Sequence, residues 1–217
     1  MITNIRRSIV TVIIFTAFFG FLYAFAGTGI AQAFFRGQAD GSLTAKGSIL
    51  IGQNWYQTKC PGHPLGSCVF LGRPDALGPY AGSSSPPASG GNNPLEANNI
   101  PGKSGVLNPG SSGATNLGPR SKTLLQNTQE LVAYWKARGV NPTPDLVTTS
   151  GSGLDPDITP QDAYAEIPMV ARATGIASSR LRSLINQNTQ GMQLGFLGSP
   201  FVNVLQLNDG LARLKGA

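Results

Sequence analysis

Residues 8–35 read SIVTVIIFTAFFGFLYAFAGTGIAQAFF, and none of these side chains is charged. The hydrocarbon core of a membrane is crossed by about 20 consecutive apolar helical residues, so this stretch is long enough for one span. The polar sequence that follows contains no second stretch of this kind. The pattern therefore predicts a single membrane anchor region in residues 8–35.

Two arginines immediately before the stretch, Arg6 and Arg7, predict its orientation. Cytoplasmic ends of membrane spans carry an excess of Lys and Arg. Residues 1–7 are therefore expected in the cytoplasm. Residues 36–217 are expected outside a bacterial inner membrane, as the extracytoplasmic, periplasmic domain of a single-pass protein.

A cleaved signal peptide is the alternative interpretation of the same stretch. Ala24-Phe25-Ala26 has the small-x-small pattern of a cleavage site, and cleavage there would release a protein that begins at Gly27. The apolar part of a signal peptide is usually about 7–15 residues long, whereas this one continues from Ile9 past Ala26. The length favours a retained anchor.

The composition narrows the possible partners. Charged residues make up 12% of the chain, against about 25% in typical soluble domains. The net charge is +6, but the Lys and Arg residues are scattered singly, so the pattern does not indicate nucleic-acid binding. Residues 78–118 are dominated by Gly, Ser, Pro and Asn, which predicts a low-complexity, irregular insertion.

Hydrophobic periodicity and capping residues predict an α+β domain with one core after the anchor. Helices are expected over residues 121–137 and 178–190. Between them, a helix is expected to begin at Thr159 and to break at Pro168, with a shorter helix restarting there and ending near Gly175. The strands are expected over residues 47–53, 145–149 and 201–207, with Asn208 capping a short last helix. On the first helix Leu124, Thr128, Leu131 and Trp135 share one face, with Leu125 and Val132 beside it, and on the third helix Leu181, Leu184 and Ile185 are expected to point inward.

The chain has two cysteines, Cys60 and Cys68, separated by a turn-rich loop. Both lie on the side of the anchor where an oxidising compartment is expected, which favours a disulfide. The alternative is metal binding by Cys60, His63 and Cys68, but three ligands without a fourth make a weak zinc site.

Catalytic patterns are incomplete in this sequence. The segment Ser150-Gly151-Ser152-Gly153 lacks the first glycine of G-x-S-x-G, and the only histidine, His63, lies between the cysteines. The acidic residues Asp155, Asp157, Asp162 and Glu166 are typical of turns and helix starts. The sequence thus favours a non-catalytic protein, and a hydrolase using Ser150 or Ser152 remains an alternative.

Several motifs, taken in chain order, resemble one family closely: the C subunit of the Kdp-type potassium-transporting ATPase. The motifs are Thr28-Gly29-Ile30-Ala31-Gln32, Gln38-Ala39-Asp40-Gly41-Ser42-Leu43, Leu50-Ile51-Gly52-Gln53, Phe70-Leu71-Gly72-Arg73-Pro74, Ala88-Ser89-Gly90-Gly91, Asn116-Leu117-Gly118-Pro119, residues 145–156 and residues 197–208. Residues 92–112 split a motif that is usually continuous in that family, and the two cysteines lie in additional sequence.

The resemblance implies an accessory subunit of a high-affinity, ATP-driven potassium uptake complex, described in the family as a catalytic chaperone that raises the ATP affinity of the ATPase subunit. The implied partners are a channel-like potassium-translocating subunit, the P-type ATPase subunit, a small single-span subunit and the lipid bilayer. ATP is implied only through the complex. Since ATP is cytoplasmic and residues 36–217 are expected outside, any effect on ATP affinity would be allosteric.

The resemblance also supplies the candidate motif and interface residues, for which no catalytic or metal role is expected. They are Gln53, Arg73, Asn116, Ser150, Gly151, Ser152, Gly153, Asp155 and Asn203. Gly151 and Gly153 are expected to provide turn conformations. Arg73 is expected to pair with a carboxylate inside the domain or, alternatively, to contact a partner. Asn203 is expected to be a hydrogen-bonded core residue rather than a ligand.

Overall fold

The computed structural model describes residues 2–44, 47–53, 55–74, 115–152 and 154–216. The chain divides into two compact units, Met1–Thr44 and Ala45–Ala217. Most of the predicted insertion at residues 78–118 lies outside the described residues, as does Gly153.

The first unit is almost entirely helical. It contains α1 (Ile2–Phe15), a π-helical stretch (Thr16–Leu22), α2 (Tyr23–Phe34), the short α3 (Arg36–Ala39) and the strand β1 (Leu43–Thr44). Together, Ile2–Phe34 form one helical segment of 33 residues, about 50 Å long at 1.5 Å per residue. This segment is long and apolar enough to cross a membrane.

The second unit is a mixed α+β domain. Its elements are β2 (Gly47–Ser48), a 3₁₀ turn (Trp55–Gln57), α4 (Lys122–Ala137), a 3₁₀ turn (Asp145–Val147), β3 (Asp157–Ile158), α5 (Pro160–Thr174), α6 (Ser178–Asn188), β4 (Thr189–Gln190), β5 (Phe201–Asn203) and α7 (Val204–Lys215). Strands β3, β5 and β4 form an antiparallel sheet with β5 in the centre. The register pairs Asp157 with Asn203 and Gln190 with Phe201.

In the second unit, a hydrophobic core joins helices α4 to α7, the three-stranded sheet and residues 69–71. It includes Phe70, Leu71, Trp135, Leu146, Val170, Leu181, Ile185, Val202, Leu207 and Leu211, each 2% exposed or less. The rings of Tyr56, Tyr134 and Trp135 pack edge to face or tilted at centroid distances of 5.5–6.3 Å, a favourable arrangement for aromatic pairs. Leu131 and Trp135 of the predicted face of α4 are buried, as are the predicted inward residues Leu181, Leu184 and Ile185, whereas Leu125, beside the face of α4, is 61% exposed.

The ends of α4 and α5 confirm the capping predictions made for these two helices. The Ser121 hydroxyl accepts a hydrogen bond from Leu124 N–H at the start of α4, and Thr159 and Asp162 form a reciprocal capping box on α5. Gly139 and Gly175 follow α4 and α5 with φ of 74° and 71°. A left-handed conformation there costs glycine little and ends each helix.

Pro168 does not break α5, so that prediction is wrong. The helix is continuous from Pro160 to Thr174. Pro168 lies on the exposed face, while its neighbours Ile167 and Met169 are buried. The backbone hydrogen bond that proline removes is therefore lost on the water side, and packing of the inner face holds the helix together.

Two predicted strands are largely replaced by turns. In residues 47–53 only Gly47–Ser48 is extended as a strand. Asp145–Val147 forms a 3₁₀ turn rather than a strand, because the indole N–H of Trp135 donates to the Leu146 carbonyl at 2.8 Å and draws this turn into the core.

The C-terminal boundaries are also corrected. The predicted strand over residues 201–207 ends at Asn203, because the Asn203 side chain accepts from Gln206 N–H and starts α7 there. Asn208, the expected cap, is buried inside α7. Helix α6 ends at Asn188, since Thr189 and Gln190 pair with β5 instead of extending the helix to Gln190.

Candidate functional site

Four of the sequence motifs meet around the turn that contains Asp155, at one end of the three-stranded sheet. Gly52 N–H donates to the Leu154 carbonyl at 2.8 Å. A Cβ atom on Gly52 would lie 2.5 Å from the Asp155 carbonyl oxygen, closer than real Cβ contacts. The glycine of residues 50–53 is therefore needed for the close approach of these two backbone segments.

Arg73 joins this turn through its guanidinium group. One nitrogen lies 3.4 Å from Asp155 Oδ2 and another donates to the Thr149 carbonyl at 3.2 Å. The arginine and aspartate side chains are 25% and 32% exposed. The expectation that Arg73 pairs with a carboxylate inside the domain is fulfilled by this geometry, and Asp155 Oδ1 also accepts from Asp157 N–H at 3.1 Å.

Asn203 connects the sheet, the start of α7 and the segment near Gly52. Its Nδ2 donates to the Ile49 carbonyl at 2.8 Å and to Asp157 Oδ1 at 2.9 Å, while its Oδ1 accepts from Gln206 N–H at 3.2 Å. Burial raises the pKa of Asp157, the Asn203 hydrogen bond lowers it, and the nearby Asp155 raises it. Asn203 is thus a bonded core amide at the point where three segments meet.

The other candidate motif residues differ from one another in exposure and in their contacts. Ser150 is buried, and Ser152 is exposed with its hydroxyl accepting from Leu154 N–H. Gly151 is exposed, has open space where a Cβ atom would lie and does not adopt positive φ, so the expected conformational need for glycine is wrong at this position. Asn116 is exposed with φ of 53°, and Gln53 lies against Gly47.

A second group of polar side chains, which sequence reasoning missed, holds the buried segment that precedes Arg73. Asn208 Oδ1 accepts from Phe70 N–H at 2.8 Å and its Nδ2 donates to the Phe70 carbonyl at 2.9 Å. Leu71 N–H donates to Glu166 Oε2 at 2.8 Å, and the Tyr56 hydroxyl donates to the Gly72 carbonyl at 2.9 Å. Side chains thus replace the neighbouring strand that would otherwise bond this backbone.

Glu166 is an acidic residue of the core with no exposed surface. Burial raises its pKa well above the usual value; the Leu71 hydrogen bond lowers it, and Asp162 raises it. Burial also raises the pKa of Tyr134 to about 12, opposed by Arg138 and reinforced by Glu166. The sequence feature that could have identified Glu166 as a buried residue is its helical spacing, because it shares the inner face of α5 with Asp162, Ala163 and Val170.

Cys60 and Cys68 form a disulfide in the structure, with their Cα atoms 5.6 Å apart. Both cysteines are buried, and Lys215 Nζ donates to the Cys68 carbonyl at 2.8 Å. Bonded sulfurs are not available as thiolate ligands, so this geometry does not fit the alternative of a metal site with His63.

The contacts of these residues describe a cluster that holds backbone segments of one domain together. Arg73, Asp155, Asn203, Asn208 and Glu166 all bond groups of the same domain. Among the described residues, no group of three or more His, Cys, Asp or Glu side chains is arranged to hold a metal ion. Two open cavities of about 390 and 180 Å³ are also present, the first between α6 and α7 and the second beside α4 and Thr149.

These observations define a class of protein: a chain whose described residues include one helix able to span a membrane, followed by an α+β domain whose motif residues hold backbone segments together. The family model for the c chain of the K⁺-transporting ATPase, KdpC, matches residues 5–213. The chain belongs to the KdpC family.

Similar proteins extend over nearly the whole chain. The potassium-transporting ATPase KdpC subunit of Bradyrhizobium diazoefficiens is 41% identical, with 98% of each chain covered. The same subunit of Rhodopseudomonas palustris is 40% identical with 97% of each chain covered, and that of Koribacter versatilis is 36% identical over 94% of this chain and 92% of the relative. These likenesses confirm the resemblance found in the sequence and do not favour a binding protein without a pump.

Proposed function

We propose that this chain is a non-catalytic accessory subunit of an ATP-driven potassium uptake complex. The observation that carries the proposal is the match along nearly the entire chain to relatives named as KdpC subunits of potassium-transporting ATPases. The structural roles of the motif residues support a part in assembly rather than in bond making. The proposed partners are a channel-like potassium-translocating subunit, a P-type ATPase subunit and a small single-span subunit.

The proposed placement is a single pass through the bacterial inner membrane with the α+β domain outside. Arg6 and Arg7 before the apolar helix support this orientation. The Cys60–Cys68 disulfide supports it independently, because disulfides persist mainly in oxidising compartments. Protease added to spheroplasts should digest the second unit while leaving cytoplasmic proteins intact. A fully protected domain would contradict the orientation.

The proposed action on ATP is indirect. With the domain outside the membrane, the chain would raise the ATP affinity of the ATPase subunit through its membrane helix and its contacts with partner subunits. This is a coupling free energy between separate sites, typically about 1–3 kcal/mol or roughly 5- to 150-fold in affinity. The ATP binding itself is assigned to the ATPase subunit.

Assembly is tested by affinity purification of the tagged full chain from membranes of potassium-starved cells. Recovery of the P-type ATPase and channel-like subunits in equal amounts is the expected result. Recovery of the chain alone, especially with an N-terminus at Gly27, would favour a secreted protein. The hydrolase alternative is removed if Ser150→Ala and Ser152→Ala variants leave the activity of the complex unchanged.

A further inference from the structure

The loop between β4 and β5 exposes a compact group of large apolar side chains. Met192 is 47% exposed, Leu194 83%, Phe196 71% and Leu197 47%. The other exposed large apolar residues described in the second unit, Leu50, Leu65 and Leu125, are scattered singly. Single exposed apolar residues are ordinary, but a contiguous patch indicates an interaction site. We name residues 192–197 the apolar loop.

The apolar loop is closed by hydrogen bonds within its own backbone. Gln193 and Leu197 exchange both backbone hydrogen bonds at 2.9 Å. Gly195 N–H donates to Met192 O, and Phe196 N–H donates to Gln193 O. Leu194 at the tip has a φ of 53°, a conformation that costs a leucine energy. A hydrogen-bonded tight turn therefore presents Leu194 and Phe196 to the outside, and ordering such a turn on binding costs less entropy than ordering an open loop.

The charge pattern around the apolar loop identifies the kind of partner. No charged side chain occurs between Arg182 and Asp209. Loops and helices that enter a bilayer surface usually combine apolar residues with Lys, Arg, Trp or Tyr, and this stretch has none of these. Depletion of charge with enrichment of Phe and Met is instead typical of the buried centre of a protein–protein interface.

The assignment of a partner to the apolar loop rests on the proposed function and makes it more specific. We propose that the apolar loop inserts into an apolar groove on the extramembrane surface of another subunit of the potassium-transporting ATPase. The patch is small for an independent interface. However, residues 35–46, which join the apolar helix to the domain, can extend at most roughly 40 Å. A shared membrane anchor therefore gives the loop a high effective concentration at its partner.

The test compares two asparagine variants in the tagged full chain, purified with its partners from potassium-starved cells. Leu194→Asn removes the apolar tip while placing a residue that tolerates positive φ. Leu125→Asn is the matched control, since Leu125 is 61% exposed on α4. Leu194→Asn should lower the recovered partner subunits roughly tenfold, as loss of a central interface contact does. Leu125→Asn should leave recovery unchanged.

The outcomes separate the inference from the proposed function. If the wild-type chain recovers no partner subunits, the proposed function fails. If wild type and the loop variant recover them equally, only the loop assignment fails. Tryptophan fluorescence of the variant chains, purified without partners, verifies that they are folded, since Trp135 is buried in the core. A photo-crosslinking residue at position 194 should attach to a partner subunit; attachment to lipid or to a second copy of this chain would overturn the assignment.

Discussion

Asn208 on α7 bonds both backbone groups of Phe70, a residue 138 positions earlier in the chain. Its carboxamide oxygen accepts from Phe70 N–H and its nitrogen donates to the Phe70 carbonyl, at 2.8 and 2.9 Å. A carboxamide offers a donor and an acceptor side by side, as the backbone of a neighbouring strand does. One side chain thus holds a buried extended segment in the core where a strand would otherwise be required.

Replacing Asn208 should therefore destabilise the domain strongly. Asn208→Leu leaves the buried N–H and carbonyl of Phe70 without partners, which costs about 2–4 kcal/mol of unfolding free energy in total. Thermal unfolding of the detergent-solubilised full chain, followed by Trp fluorescence, measures the change. Asn188→Leu is the control, because Asn188 bonds a carbonyl of its own helix at a partly buried position. Equal effects of the two substitutions would contradict the role of Asn208.

Glu166 should make the stability of the domain depend on pH. Folding raises the pKa of Glu166 above its ordinary value of 4.5, so the folded state retains a proton that the unfolded chain has released. Stability is therefore greatest below that ordinary value and falls as the pH rises toward the folded pKa. Asp157, whose pKa is also raised, contributes a pH dependence of the same sign.

Glu166→Gln tests this dependence, since glutamine can still accept from Leu71 N–H without carrying a charge. The apparent Tm of the wild-type chain should fall as the pH rises above the ordinary glutamate pKa of 4.5, and the variant should show a flatter profile and a higher Tm at the upper end. Asp157→Asn separates the contribution of the second acid. A profile that is unchanged in Glu166→Gln would mean that the carboxylate is charged in the folded domain.

Gly52 should not tolerate a methyl group. In Gly52→Ala the added Cβ would lie 2.5 Å from the Asp155 carbonyl oxygen, which requires a backbone shift and costs about 1–3 kcal/mol. Gly72→Ala is the matched control, because a Cβ there meets no atom within 4 Å. A similar Tm for both variants would show that the two backbone segments can separate without loss.

Arg73 and Asp155 should be energetically coupled, but modestly. The two side chains are about a quarter to a third exposed, and ion pairs screened by water contribute about 0.5–1 kcal/mol to the free energy of unfolding. A double-mutant cycle with Arg73→Ala and Asp155→Ala measures the coupling. Arg73→Lys should not restore it, since one ammonium group cannot reproduce the guanidinium contacts with both Asp155 and the Thr149 carbonyl. Zero coupling would leave the pair without a structural role.

The parts of the fold that depend on neighbouring residues could be predicted from the sequence. Ser121, Thr159, Gly139 and Gly175 act within one or two turns of chain, so their capping roles follow from local chemistry. The apolar helix and the inner faces of α4 and α6 follow from composition and period.

The parts that depend on distant residues could not be predicted in this way. Asn208 and Glu166 serve backbone groups of Phe70 and Leu71, which are far away in the chain. The strand expected at residues 145–149 became a turn because Trp135 bonds Leu146. Local propensity favoured an extended chain there, and tertiary hydrogen bonding overrode it.

The central claim is that the chain is an accessory and not a catalytic subunit. The most direct test measures potassium-stimulated ATP hydrolysis by the purified complex, over a range of ATP concentrations, with and without this chain. We predict that the chain alone hydrolyses no ATP and that its addition to the remaining subunits lowers the KM for ATP by roughly fivefold or more. Hydrolysis by the isolated chain, or an unchanged KM and rate after it rejoins the complex, would contradict the account.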